Sequence, residues 1–267
     1  MKSKRGIGGA VSIRISVSFL ISGLMSLIFS LYSESQILAF IGLGLTFWGA
    51  LFILLKPLRL VEGSLLYNVT VSTYLTTDRM LDDFGYKGKS HYLSPYPKDV
   101  YLPEYLKGLK TSVVFISANK NSEMPSIEEI AKGKFMSKSQ KGVLVTPPGL
   151  GVLTQIEDKM NVDFTKMDLN YLCEVLPPFI FQDLNLAKDV TMEQRGDQVH
   201  LTILNSVYKD LYSAQENLRS VNILGCPIAS AVACALAKTS GRTVTIQKNQ
   251  VSPDGSAIEV WYRIVEG

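Results

Sequence analysis

The residues best able to do chemistry in this chain are its three cysteines, Cys173, Cys226 and Cys234, and its two histidines, His91 and His200. Cys226 lies in the run GCPIASAVACALAKTSG, residues 225–241. Pro227 suits the first position of a helix and Gly241 suits a C-terminal stop, which sets Cys226 at a helix N-terminus. Cys226, Ser230 and Cys234 then fall at i, i+4 and i+8 on one face, beside a small face of Ala229, Ala233 and Ala237. A thiol at a helix N-terminus can titrate low and act as a nucleophile, an acylation site or a metal ligand. A small residue is also what a helix needs where it packs closely on a sheet, and that structural role is the expectation for Cys226. Along a helix Cys226 and Cys234 stand about 12 Å apart, too far to pair. An odd cysteine count without CxxC spacing points away from a disulfide framework and toward a reducing compartment.

His200, between Val199 and Leu201 in an expected strand, falls on the face opposite those apolar neighbours and is expected to be exposed. His91 lies in a turn-rich stretch. The sequence holds no HExxH, no metal-like His/Cys spacing, no Walker loop and no dinucleotide fingerprint. Gly149-Leu150-Gly151 follows an expected strand and precedes an expected helix, so residues 149–152 are a weak candidate anion site, and a plain turn is the expectation. Spacing assembles no acid/base pair, nucleophile triad or metal set. The chain is therefore expected to be no enzyme and to carry no cofactor or metal.

The elements that position these residues read as follows. A helical face runs through Val61, Leu65, Val69, Met80, Leu81 and Phe84. Residues 85–103 read as a loop or short hairpin, and 111–118 as a buried strand. Residues 119–141 are a polar linker in which Lys120, Lys132, Lys134, Lys138 and Lys141 mix with Glu123, Glu128 and Glu129. A strand at 143–146, the turn Pro147-Pro148-Gly149 and a helix at 150–160 follow. A second helix spans 169–186, interrupted at Pro177-Pro178. Then come a β-hairpin at 190–193 and 199–204, a helix at 208–218, the Cys226 helix, and a closing hairpin at 244–248 and 258–264.

Two stretches near the N-terminus contain no charged residue, 15–32 and 37–55. Each has about the ~20 residues that an α-helix needs to cross a bilayer core. Lys2, Lys4, Arg5 and Arg14 precede the first, Lys56 and Arg59 follow the second, and the short link carries only Glu34. The positive-inside rule puts both chain ends in the cytoplasm, at the cell (inner) membrane. Ser18, Ser22, Ser26 and Ser30 repeat every four residues, and Ala39, Gly42, Thr46 and Gly49 form a small face on the second span. Such faces let membrane helices approach closely, so these eight residues are the expected hairpin contact. Neither span holds an ionisable residue, which favours a packed anchor over a channel or proton path.

The expected fold class is an N-terminal transmembrane helical hairpin followed by a soluble α/β (α+β) region with antiparallel hairpins packed on helices. The expected divisions are 1–59, 60–118, the linker 119–141, and 142–267. The 27 basic residues exceed the 24 acidic ones by only three and are scattered, so no nucleic-acid footprint is present.

The order of a β-hairpin, a helix opening with Cys226-Pro227, an Ala-rich body, Gly241, a strand, a turn with Gly255 and a last strand resembles the vinyl-reductase-like domain. That is the 4-vinyl reductase family, related in fold to TRAPP transport subunits. Residues 189–264 carry the resemblance. Many such domains have cysteines flanking the glycine of the last hairpin, where this chain has Val251 and Ile258. The resemblance implies a small-molecule-binding or assembly module. The whole chain also resembles uncharacterised two-span archaeal membrane proteins, which implies no function.

Three functions follow as expectations. The first is a membrane-tethered binding module for a small hydrophobic ligand or a protein partner. The second is a structural subunit of a membrane complex or homo-oligomer, with the hairpin as interface. The third and weakest is a membrane-bound enzyme. The lipid bilayer is the partner common to all three.

Overall fold

The computed structural model describes residues 7–54, 63–95, 111–119, 130, 142–213 and 218–265, with side chains described from 17 to 52 and from 66 onward. The basic residues before and after the hairpin, and nearly all of the 119–141 linker, lie outside the described residues. The chain divides into two compact units, Met1–Val61 and Glu62–Gly267.

The first unit is a helical hairpin, α1 (Ile7–Ser33) and α2 (Gln36–Leu54). Both helices are apolar on almost every side. Ile21, Leu24, Met25, Ile28, Phe29, Phe40, Leu43 and Phe47 are all more than half exposed.

The second unit is α+β. Its seven strands form one antiparallel sheet in the order β3-β2-β1-β6-β7-β5-β4. They are β1 (Ser90–Leu93), β2 (Val113–Ser117), β3 (Gly142–Val145), β4 (Asp189–Arg195), β5 (Gln198–Leu204), β6 (Thr243–Val251) and β7 (Ala257–Val265). The helices are α3 (Gly63–Asp83), α4 (Leu150–Met160), α5 (Leu169–Pro178), α6 (Arg219–Leu224) and α7 (Pro227–Ser240). Strands from 60–118 and from 142–267 share this sheet, because β1 pairs with β6 through His91↔Thr245 and Tyr92↔Val244.

Alternation sets the buried face. Val199, Leu201 and Ile203 of β5 and Ile258, Val260, Tyr262 and Ile264 of β7 point into the core. Against them lies α7, whose residues from Pro227 to Ala237 are all buried. A helix that is apolar on every side belongs in a core or a membrane. Among the described residues, 219–240, which is α6 and α7 joined through Gly225-Cys226, is the one stretch long and apolar enough to pass for a membrane span, and its 89% burial makes it the core.

Local differences from the sequence reading have identifiable causes. The 169–186 helix runs through Pro177 and Pro178, then widens into a π turn at Phe179–Asp183. Prolines donate no N–H, and the wider turn restores bonding beyond them, with Leu184 N–H donating to Phe179 O at 3.1 Å. The helix expected at 208–218 is a 3-10 turn, Lys209–Tyr212, that ends in extended Ser213; residues 214–217 lie outside the described residues. The 85–103 stretch contains β1, a strand of four residues that stands third in the sheet order, between β2 and β6.

Candidate functional site

The α6–α7 corner gathers several of the unit's buried hydroxyls. A helix leaves its last carbonyls without intrahelical donors. Here three hydroxyls from distant segments supply them, each at 2.6 Å: Ser90 Oγ donates to Ile223 O, Tyr92 Oη to Leu224 O, and Tyr74 Oη to Gly225 O. Gly225 turns the chain with φ 70°, and Pro227 starts α7 one residue after Cys226. Tyr92 Oη also lies 3.1 Å from Ser230 Oγ, which accepts the Gly149 N–H at 3.0 Å. Tyr212 Oη accepts from the Cys226 N–H at 2.9 Å and from Asn249 Nδ2 at 3.1 Å. Tyr262 Oη donates to Ala229 O at 2.9 Å.

Ser230 and Cys234 lie on α7 and Cys226 is its N-cap, and all three are enclosed. Burial pushes the Cys226 thiol up, although the Ala229 and Ile228 amides and the Tyr212 hydroxyl turned toward Sγ pull the other way. Burial likewise pushes Cys234 well up, and it raises half-buried Cys173 to about 11. A thiol kept protonated and away from solvent is expected to be inert, which fits a structural junction at this corner. A maleimide reagent at neutral pH should leave Cys226 and Cys234 unlabelled in the folded protein and modify both after denaturation. Cys226→Ser should hold stability, because serine is a good N-cap at the position Cys226 occupies. Cys226→Phe should cost about 1–3 kcal/mol by overpacking. Labelling of native Cys226 within minutes would overturn the structural assignment.

The candidate anion site at 149–152 is built differently from an open helix terminus. Gly149 is buried, its N–H is taken by Ser230, and the Leu150 N–H donates to Pro147 O at 3.0 Å. A Cβ on Gly149 would stand 2.1 Å from Ala231 N and 2.4 Å from Pro227 O. The turn before α4 is thus pressed against the α7 backbone.

The two histidines occupy the other face of the sheet. His200 stacks on Trp261, with centroids 4.6 Å apart at 18°, and lies 3.9 Å from Glu259. Its side chain is 32% exposed, short of the free exposure expected, because the indole covers one side of the ring. Lys248 Nζ sits 5.1 Å from the Trp261 centroid. His91 packs against Phe115 at 6.2 Å. Among the described residues no cluster of three or more His, Cys, Asp or Glu side chains is arranged to hold a metal. An open groove of about 470 Å³ lies between the end of α4 and the start of α5, where Val162, Met167 and Tyr171 meet Asp163, Lys166 and Asp168.

In the hairpin, the small residues of α2 face α1: Gly42 and Gly49 are buried, Ala39 and Thr46 half-buried. The serine stripe is split. Ser26 Oγ donates to Leu38 O at 3.1 Å and Ser30 Oγ to Ser35 O at 2.9 Å, while Ser18 and Ser22 are exposed. The closest approach belongs to Gly23, one residue from the stripe. A Cβ there would come within 2.7 Å of Thr46, and one on Gly42 within 2.9 Å of the Leu27 backbone. Gly42→Leu should accordingly weaken the hairpin by about 1–3 kcal/mol, and Ser26→Leu by about 1 kcal/mol. Ser22→Leu should leave it unchanged. Unfolding of the hairpin in mixed micelles measures all three, and a Ser22→Leu loss as large as that of Gly42→Leu would contradict the packing.

Sequence reasoning missed Ser90, Tyr74, Tyr92, Tyr212 and Gly23. The signal available was the i, i+2 spacing of Ser90 and Tyr92 in a strand, which puts both on one face.

The chain matches, over residues 12–263, the family described as Domain of unknown function (DUF7982). No curated protein and no solved structure matches it.

Proposed function

The chain belongs to the DUF7982 family, and because that match takes in both the hairpin and the α+β unit, we propose that the two act together as a membrane-anchored binding module. The observation that carries the proposal is the hairpin's surface. Leu31, Tyr32, Ile37 and Phe40 are each over 70% exposed, and the helices beneath meet at glycines. An apolar surface of this extent on a two-helix unit fits hydrocarbon rather than water. α1 and α2, of 27 and 19 residues, have the length to span, and their described apolar stretches are Val17–Ser33 and Gln36–Phe52. With positive charge before α1 and after α2, both termini are read as cytoplasmic, at the inner membrane.

The α+β unit then presents its surface to a cytoplasmic partner. Its core is filled by α7, and the groove beside Tyr171 is open and partly charged. Those features favour recognition of a protein or an amphipathic small molecule over enclosure of a purely apolar ligand, and they assign no catalytic step. The order β4–β5, α7, β6–β7 supports the vinyl-reductase-like reading of residues 189–264, with its implied binding or assembly role. A second reading, a scaffold subunit of a membrane complex, is favoured by Ser18 and Ser22, hydroxyls left on the outside of the hairpin.

The test is alkaline carbonate extraction and liposome flotation, followed by native mass spectrometry of gently extracted protein. Retention in the membrane with a co-purifying small molecule supports the binding module, and retention with partner subunits supports the scaffold. Release by carbonate without flotation refutes the anchor.

A further inference from the structure

α3 has two different sides. Tyr74 and Leu81 are buried in the core. On another side Leu66, Val69, Thr73, Thr76 and Met80 recur at intervals of three and four, and none is charged. Leu66 and Met80, at the two ends of this stripe, are half-buried and pack against the unit's own core, Val69 is 61% exposed, and Phe84, just beyond the helix end, is 42% exposed. The Thr73 and Thr76 hydroxyls are already bonded within the helix, to Val69 O and Ser72 O. A 3–4 repeat without charge has the spacing of the seam of paired helices. A bilayer surface would instead select large apolar and basic side chains, not a row of threonines.

Two further observations indicate what covers the seam. In a parallel pair of helices, flanking positions five residues apart face each other across the seam. Here they are Arg79 and Phe84. Arg79 is exposed and makes no ion pair among the described residues, and the Phe84 ring, stacked on Tyr86 at 5.4 Å, keeps its other face exposed, so each chain supplies both halves of a cation–π contact to an identical chain. Independently, Ser18 and Ser22 stand four residues apart on the outside of α1 without a hydrogen bond among the described residues. In hydrocarbon such a pair is satisfied by another helix. We propose that α3 pairs in parallel with α3 of a second copy, so that the anchored protein is a homodimer. The pairing identifies the partner of the membrane-anchored module and rests on that reading for its setting. The seam ends before Asp83, where two carboxylates would meet and the helices part.

The test uses the full chain in lipid nanodiscs, in a Cys173→Ser background that leaves only the buried cysteines. Thr73→Cys and Thr76→Cys should each form a disulfide-linked dimer on mild oxidation, while exposed, off-seam Asn68→Cys should not. Particle mass should be twice 29.5 kDa of protein, and Val69→Asp or Arg79→Glu, both at exposed positions, should halve it. Equal cross-linking at 68, 73 and 76 would mean random collision and overturn the pairing. Cross-linking at only one of 73 and 76 would mean an antiparallel crossing and overturn it too. Single-copy mass in protein that floats with liposomes would overturn the dimer while the membrane reading stands. Failure to float would remove the membrane reading, and the cross-links and mass would then decide the pairing alone.

Discussion

Gly149→Val is expected to destabilise the α+β unit by at least about 3 kcal/mol, at the upper end of overpacking costs. The first atom of any side chain at 149 would meet Ala231 N and Pro227 O, which belong to the α7 backbone and cannot rotate away. Relief requires separating the turn before α4 from α7, and that breaks the Gly149 N–H bond to Ser230. It also disturbs Tyr92, which sits against the same Ser230 Oγ. For a unit of this size the loss should lower Tm by roughly 6–12 °C. Gly151 is the internal control. A Cβ there meets nothing within 4 Å, so Gly151→Ala should raise stability by about 1 kcal/mol through helix propensity alone. Thermal melts of the two variants side by side decide the matter. A Gly149→Val protein that melts with wild type would mean that the turn does not seat on α7.

That contrast shows where the sequence was legible. Helix α4 was read at 150–160 and occupies Leu150–Met160, because Pro147-Pro148-Gly149 marks its start and Leu153 and Ile156 its buried side. Pro227 and Gly241 bounded α7 for the same reason: start and stop signals are local. The alternation of Val260, Tyr262 and Ile264 against Trp261 and Arg263 gave β7 its buried face. What escaped was non-local. Ser90, Tyr92 and Tyr74 carry no local mark of capping a helix more than 130 residues away. Gly149 stood in a candidate anion site because a close backbone approach and an anion cradle ask for the same residue. In the hairpin, a four-residue serine repeat drew attention from Gly23, although the missing side chain, not the hydroxyl, lets α1 and α2 touch.

Acid should destabilise the α+β unit through His91. Its ring lies in the middle of the sheet, between Thr245 of β6 and Phe115 of β2 in register, and its Nδ1 has no hydrogen-bond partner among the described residues. Burial lowers its pKa from 6.5 to about 4, and nearby Lys89 adds to the shift. The unfolded chain therefore takes up a proton at a higher pH than the folded one does. Stability is complete above pH 6.5 and declines as the pH falls toward 4, by about 3 kcal/mol in all, since each pKa unit is worth about 1.4 kcal/mol. Asp163 and Asp254, held low by their own Thr and Ser hydrogen bonds, change charge below this window. The chain has two tryptophans, Trp48 in the hairpin and Trp261 in the sheet. A Trp48→Phe background thus leaves Trp261 as reporter for urea titrations at pH 7.5 and 4.5. His91→Phe keeps a ring against Phe115 but cannot titrate, so the gap between the two pH values should shrink by most of that amount. An unchanged gap in His91→Phe would place the acid sensitivity elsewhere.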